Sequence, residues 1–177
     1  LEFPPPTEPK QALQTFRYPA SLELELVASE PLIESPVAID FGADGRLWVC
    51  EMYDYPEGID GKGGHGGRVK VLSDANGDGR FDTATLVADD LAFPTGIMAW
   101  GDGALVCAAP DVFYVKPRTG GAGWDRIPLL TGFATHNFQA RVNGLRWGLD
   151  GWVYGSGGLF GGTIHVVATT RGDPPDS

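Results

Sequence analysis

The chain has 177 residues, 42% of them hydrophobic and 20% charged, with a formal net charge of −10. That is enough for one domain with a sizeable core, and an acidic chain without a basic cluster excludes nucleic acid and anionic membrane surfaces as partners. The 26 glycines and 14 prolines imply many turns between short strands, an all-β composition.

The chain opens with a lead-in over residues 1–20. "LEFPPPTEP" is Pro-rich and reads as extended, and "KQALQTF" (10–16) as one or two helical turns. No charged n-region and apolar core stand at Leu1, so no secretory signal is read, and the absent initiator Met points to processing or to a fragment. Nor does any run reach the ~20 apolar residues of a membrane helix. From Ser21 the pattern changes: "SLELELVA" (21–28) alternates strictly, which predicts a strand.

Three segments then line up on an Asp-Gly pair: "PVAIDFGADGRLWV" (36–49), "PTGIMAWGDGALVC" (94–107) and "NGLRWGLDGWVYG" (143–155). Ile39, Ile97 and Leu145 precede the Asp at one spacing, and Leu47, Leu105 and Val153 follow it at another. Phe41 and Trp147 hold a common aromatic position, while Trp100 stands one residue nearer its Asp. Asp-Gly supplies the positive φ angles of a two-residue hairpin turn, so Asp44, Asp102 and Asp150 read as turn formers. "RVKVLS" (68–73), "TATLVADDL" (83–91) and "VFYVKP" (112–117) add strands between the copies. Each repeat of about fifty residues then holds roughly four strands, the make-up of a propeller blade. A β-sandwich has no reason to repeat that frame. Three blades do not close a ring, so residues 21–177 read as the first part of a propeller that continues beyond the chain end.

Between the repeats lie the candidate sites. The Gly-rich loop "EMYDYPEGIDGKGGHGGR" (51–68) carries Glu51 and Asp54 nearest the strand end, best placed for function, and His65 as a solvated loop residue. "DANGDGRFD" (74–82) sets Asp74, Asn76, Asp78 and Asp82 at alternating positions with Gly79 at the bend and the Arg80 carbonyl between them. Alternate oxygens around a Gly can converge on calcium, in a structural role, and the rival is a solvated hairpin loop. The bidentate Glu of an EF-hand is missing, since Thr85 holds that place. Cys50 and Cys107 sit in apolar runs, as buried free thiols or, less simply, a disulfide. No zinc spacing, nucleophile elbow, phosphate loop, dinucleotide fingerprint or haem-attachment motif occurs. "GSGGLFGG" (155–162) reads as a loop hugging a surface or ligand, and "RGDPPDS" as a ragged end.

"AIDFGADGRLWVCEMYDYP", "GRVKVLSDANGDGRFD", "FPTGIMAWGDGALVCAAPDVFY" and "RVNGLRWGLDGWVYG" together resemble the PVC-type membrane-bound dehydrogenase domain, which is similar to the soluble quinoprotein glucose/sorbosone dehydrogenase propellers. The resemblance covers about Ala12 to His165. It implies a six-bladed propeller in a large bacterial protein exported to the periplasm or beyond, often with a C-terminal cytochrome c module. It also implies pyrroloquinoline quinone and calcium at the channel mouth, and a sugar, alcohol or polysaccharide as ligand. In those dehydrogenases a histidine base lies eight residues before the Gly that opens the Gly-x-Asp-Gly turn. Here that Gly is Gly148, and the base position is Ala140. His136 stands nearby and fills that place only through a rearranged loop. Gln139, Arg141 and Asn143 are the polar residues left on this segment; Arg141 would bind an anionic quinone or sugar acid, or form an ion pair with a loop carboxylate. Two functions follow: a quinone-dependent sugar or alcohol dehydrogenase, or a non-catalytic carbohydrate- or protein-binding propeller.

Overall fold

The computed structural model describes residues 5–167; the sequence tail "RGDPPDS" lies outside them. The expected helical turn forms as α1 (Pro9–Leu13), with Pro in the first turn, where its missing N–H costs nothing. Among the described residues eleven β-strands follow, all antiparallel: β1 (Pro36–Phe41), β2 (Leu47–Glu51), β3 (Gly67–Ser73), β4 (Thr83–Leu91), β5 (Gly96–Trp100), β6 (Gly103–Ala108), β7 (Asp111–Pro117), β8 (Trp124–Phe133), β9 (Asn143–Trp147), β10 (Val153–Ser156) and β11 (Gly162–Val166). The all-β expectation holds.

They form three sheets, ordered β1-β2-β3-β4, β11-β8-β7-β6-β5 and β10-β9. The first two repeats each supply a four-strand meander. The third supplies only β9 and β10 to its own sheet, and the chain then adds β11 beside β8 on the second sheet. β8 and β11 are the strands with no clear signal in the sequence. Each sheet starts at a repeat, and the starting strands are neighbours, β5 lying against both β1 and β9.

The core shows that the sheets stack face to face. Trp48, Cys50, Val69 and Val71 of the first sheet meet Val106, Phe113 and Val115 of the second. The opposite face of the second sheet sends Met98, Leu105, Cys107 and Val112 against Leu145 of the third sheet and Val142 just before it. The middle sheet is therefore covered on both faces, which is why β6 is buried at every residue and does not alternate. Cys50 and Cys107 belong to different layers, and both thiols are free.

The outer face of the first sheet is covered by the N-terminal segment. Ala28 and Ile33 pack on Leu47, Val49 and Leu72. The strand expected at 21–28 does not form. Its alternation specifies an apolar side, but a strand also needs a sheet edge to pair with, and here Leu22, Leu24 and Val27 stay exposed while only Ala28 packs on the first sheet. Its tie to the sheet system is the Val27 carbonyl, which accepts the Phe81 N–H at 2.9 Å.

The Asp-Gly turns differ from the simple hairpin. In copies one and three the link runs over residues 42–46 and 148–152, closed by Gly42 N–H to the Arg46 carbonyl and Gly148 N–H to the Trp152 carbonyl. Gly45 and Gly151 take the left-handed conformation (φ 79° and 82°), and Asp44 and Asp150 accept the N–H two residues on. In copy two Trp100 pairs directly with Gly103, leaving Gly101 and Asp102 as the whole turn. The one-residue slip at Trp100 is thus a shorter turn. All three aspartates act as turn residues, and Asp102 and Asp150 accept the Tyr114 and Tyr154 hydroxyls at 2.6 Å.

Candidate functional site

In an antiparallel meander successive connections fall at alternate ends. The links at 52–66, 92–95, 109–110 and 134–142 therefore gather at one end, and the turns at 42–46, 74–82, 101–102 and 148–152 at the other. This separates the sequence candidates into two groups. Glu51, Asp54, His136, Gln139, Arg141 and Asn143 lie at the first end. Asp74, Asn76, Asp78, Arg80 and Asp82 lie at the opposite one.

Two adjoining cavities open at the first end. One, of about 290 Å³, is lined by Tyr55, Pro56, His136, Asn137, Phe138 and Gln139. The other, of about 400 Å³, is lined by Val37, Met52, Tyr55, Thr95, Phe138, Gln139 and Asn143. Tyr55, Phe138 and Gln139 are common to both. Gln139 Nε2 donates to the Tyr55 hydroxyl at 2.7 Å, a bond that joins the 52–66 and 134–142 loops across the cleft. His136 sits on this wall because residues 134–142 leave β8 as an irregular turn and not as strand; its ring lies 4.2 Å from that of Phe160.

Asn143 reaches the cleft with Oδ1 accepting the Gly144 N–H at 2.6 Å. It presses on Gly96, where a Cβ would stand 2.5 Å from Asn143 Oδ1 and would push that amide aside. Ala140 is turned to structure: its carbonyl accepts the Leu159 N–H at 3.1 Å, and Gly158 (φ 80°) packs so closely that a Cβ would lie 2.1 Å from that oxygen. The "GSGGLFGG" loop thus hugs the 134–142 segment.

Three charged candidates stand behind the cleft and not on it. Glu51 is wholly buried; its Oε1 accepts the Glu34 N–H at 2.8 Å and Lys70 Nζ at 3.0 Å, and Oε2 accepts the Tyr53 hydroxyl at 3.3 Å. Lys70 Nζ also donates to the Leu32 carbonyl at 3.0 Å, so this ion pair pins residues 32–34 to the sheet. Asp54 is 1% exposed and accepts the Phe93 N–H at 2.6 Å. Arg141 is 7% exposed and donates to the Thr135 carbonyl at 2.6 Å and the Ala92 carbonyl at 3.3 Å. Burial pulls the Arg141 guanidinium below its usual range, and the Asp54 carboxylate opposes that shift. The two do not come within ion-pair distance, so the ion pair with a loop carboxylate expected of Arg141 is not formed among the described residues.

An anionic quinone carrying several carboxylates needs cationic donors on the cleft wall. No Lys or Arg lines either cavity, and the Arg141 guanidinium is buried and engaged with two carbonyls. The residues do not fit that group. In the 74–82 loop, Asp74 accepts the Gly77, Asp78 and Gly79 N–H groups at 2.6, 3.2 and 2.9 Å. Asn76, Asp78 and Asp82 accept the N–H groups of Asp78, Arg80 and Ala75. Gly79 takes φ 86°, the bend a calcium loop requires. Donor types and bend therefore suit a hard cation, though among the described residues no three acidic or histidine groups already converge on one centre. Its position at the far end separates any such ion from the cleft.

Fold and site define a class: an antiparallel all-β protein of three stacked sheets, with an aromatic and amide-lined cleft at the loop end. The family model described as "Domain of unknown function (DUF7133)" matches residues 8–174, and the chain belongs to that family. No curated protein matches the chain. No solved structure matches it either.

Sequence reasoning missed Tyr55, Phe138 and Thr95, which line the cleft. Tyr55 and Phe138 stand in loops, where an aromatic has no periodic partner to mark it. The usable signal was the loop composition: aromatics beside Asn, Gln and Gly on segments that the repeat leaves unassigned.

Proposed function

We propose that the chain is part of a propeller of the glucose/sorbosone dehydrogenase type whose loop-end cleft binds a neutral, hydroxyl-rich ligand, a sugar or polysaccharide, without oxidising it. The propeller reading is supported by the layered sheets, each begun by one copy of the repeat, and by the adjacency of β1, β5 and β9. The observation that carries the binding reading is the wall itself: Tyr55 and Phe138 offer aromatic surface, Gln139 and Asn143 offer amides, and no Lys or Arg is present. Such polar groups orient an uncharged ligand, and aromatic faces carry the contact area. Export to a bacterial periplasm, and a cytochrome c partner, belong to the same proposal through the family resemblance.

A second reading, oxidation of a sugar or alcohol with the hydride passed to an added electron acceptor, is favoured by His136, whose place on the cleft wall lets an imidazole take the proton from a bound hydroxyl. The two are separated by titrating the full-length protein with a panel of mono- and oligosaccharides in a calorimeter. Parallel dye-reduction assays would contain added pyrroloquinoline quinone and calcium. Saccharide binding that weakens about tenfold in Tyr55→Ala and Gln139→Ala, with no dye reduction, is the expected result. Dye reduction abolished by His136→Ala would replace the binding reading with the oxidative one. We also propose calcium in the 74–82 loop, structural in role and held by Asp74, Asn76, Asp78, Asp82 and the Arg80 carbonyl.

A further inference from the structure

We infer that Asp54, Arg141 and Phe93 form a buried positioning device that sets the aromatic wall of the cleft, and that neither charged group touches the ligand. The inference rests on the cleft being the binding site, and it deepens that reading.

Phe93 carries the argument. Its φ is +46°, in the left-handed region that residues with a side chain disfavour. Such a conformation persists where its surroundings over-determine it, and these residues cluster at binding sites. Here four contacts converge on it. The Phe93 N–H is held by Asp54 Oδ2 at 2.6 Å, a bond buried from solvent. The carbonyl just before it, of Ala92, is held by Arg141 Nη1 at 3.3 Å. The ring stacks on Phe138, centroids 4.2 Å apart and planes 24° from parallel. The Arg141 guanidinium lies 4.9 Å from the Phe93 centroid and 5.0 Å from that of Phe138.

Phe138 is the part of this assembly that reaches the ligand side, lining both cavities. Arg141 Nη2 also holds the Thr135 carbonyl at 2.6 Å, so one guanidinium fixes both ends of the connection between the 92–95 and 134–142 loops. Asp54 and Arg141 line neither cavity and are 1% and 7% exposed, which removes them from ligand contact. Asp54 Oδ1 and Arg141 Nε are buried without a hydrogen-bond partner among the described residues. Buried polar atoms left in this way disfavour any use of the pair for stability alone and fit a use in fixing geometry.

Amide hydrogen exchange on the full chain without ligand tests the device. Asp54→Ala and Arg141→Ala should raise exchange in residues 92–95 and 134–142 about tenfold while β6 stays protected, because the loss is a local opening. Asp54→Asn keeps an acceptor for the Phe93 N–H and should restore protection. Arg141→Lys lacks the planar fork and should not. Should Asp54→Ala fail to fold, Phe93→Leu removes the stack with little change of volume and should loosen 134–142 alone. Unchanged protection of these loops in the folded variants, or an equal rise in β6, would overturn the inference. Saccharide titration of the same variants is a separate readout. Loops that loosen as expected in a protein that binds no saccharide would sink the binding reading and leave the positioning device standing.

Discussion

Lys70→Met asks whether Glu51 is a binding group or a structural one. The Glu51 carboxylate is 0% exposed and the Lys70 side chain 14% exposed, with Nζ to Oε1 at 3.0 Å. At an effective dielectric of about 20, two unit charges at that distance attract by about 5 to 6 kcal/mol, most of it offset by the cost of removing both from water. Removing one partner forfeits the attraction and leaves the desolvation cost. The expected loss is about 3 kcal/mol, the low end of the 3–5 kcal/mol range for buried pairs because Lys70 keeps some water. For a chain of this size that is a fall of roughly 6–12 °C in Tm. Urea unfolding of wild type, Glu51→Gln, Lys70→Met and the double variant gives the coupling. The double variant should lose about 1.5–3 kcal/mol less than the sum of the singles, since Gln keeps an acceptor for the Glu34 N–H. Strict additivity, or a Lys70→Met variant within about 1 kcal/mol of wild type, would refute the structural assignment.

Four other measurements check the fold and the far-end loop. Calcium should raise the unfolding free energy by about 2.7 kcal/mol at a hundredfold excess over Kd, an effect that Asp74→Asn abolishes and magnesium reproduces poorly. Hydrogen bonds from the Gly79 N–H and its neighbours hold the Asp74 carboxyl below its ordinary 3.8. Loop order should therefore be complete above about pH 4 and lost as pH falls through that lower value, as read by NMR titration. Gly67→Ala should destabilise by roughly 2 kcal/mol in thermal unfolding, because a Cβ there would stand 2.1 Å from Pro94 Cδ and 2.8 Å from the Leu91 carbonyl. Burial pushes the Cys107 thiol up to about 12 and Cys50 higher still. Both should resist a thiol reagent in the native protein at neutral pH and react fully once it is unfolded.

Much of the fold was legible because local chemistry dictates it. Glycine count and period-two alternation set the all-β class, and the repeated Asp-Gly frame marks β1–β2, β5–β6 and β9–β10 from the sequence alone. Turn chemistry depends on neighbours a few residues away, so it can be read along the chain. Even there, whether the turn had two residues or five depended on the strand register, which Phe41 pairing with Leu47 and Trp100 with Gly103 decide. Strand membership needed more. "SLELELVA" has the better alternation and is not a strand, while Trp124–Phe133 lacks clean alternation and is one, because an available edge beside β7 decides the matter.

The site was divided in the same way. Residues 51–68 were marked as a candidate segment by their composition, and 136–143 by the resemblance to the quinoprotein dehydrogenases. Their roles were not, because they depend on burial and on which loops share an end of the sheets. Glu51 and Asp54 look equivalent as carboxylates after a strand, yet packing assigns one to Lys70 and the other to the Phe93 N–H. His136 reads as misplaced only while residues 134–142 are taken as extended; the irregular turn there brings it to the cleft. The sequence by itself determined the residue types and the repeat, and tertiary structure decided their partners. The physical reason is that desolvation, charge pairing and close packing act through space, between groups as far apart in the chain as Tyr55 and Gln139.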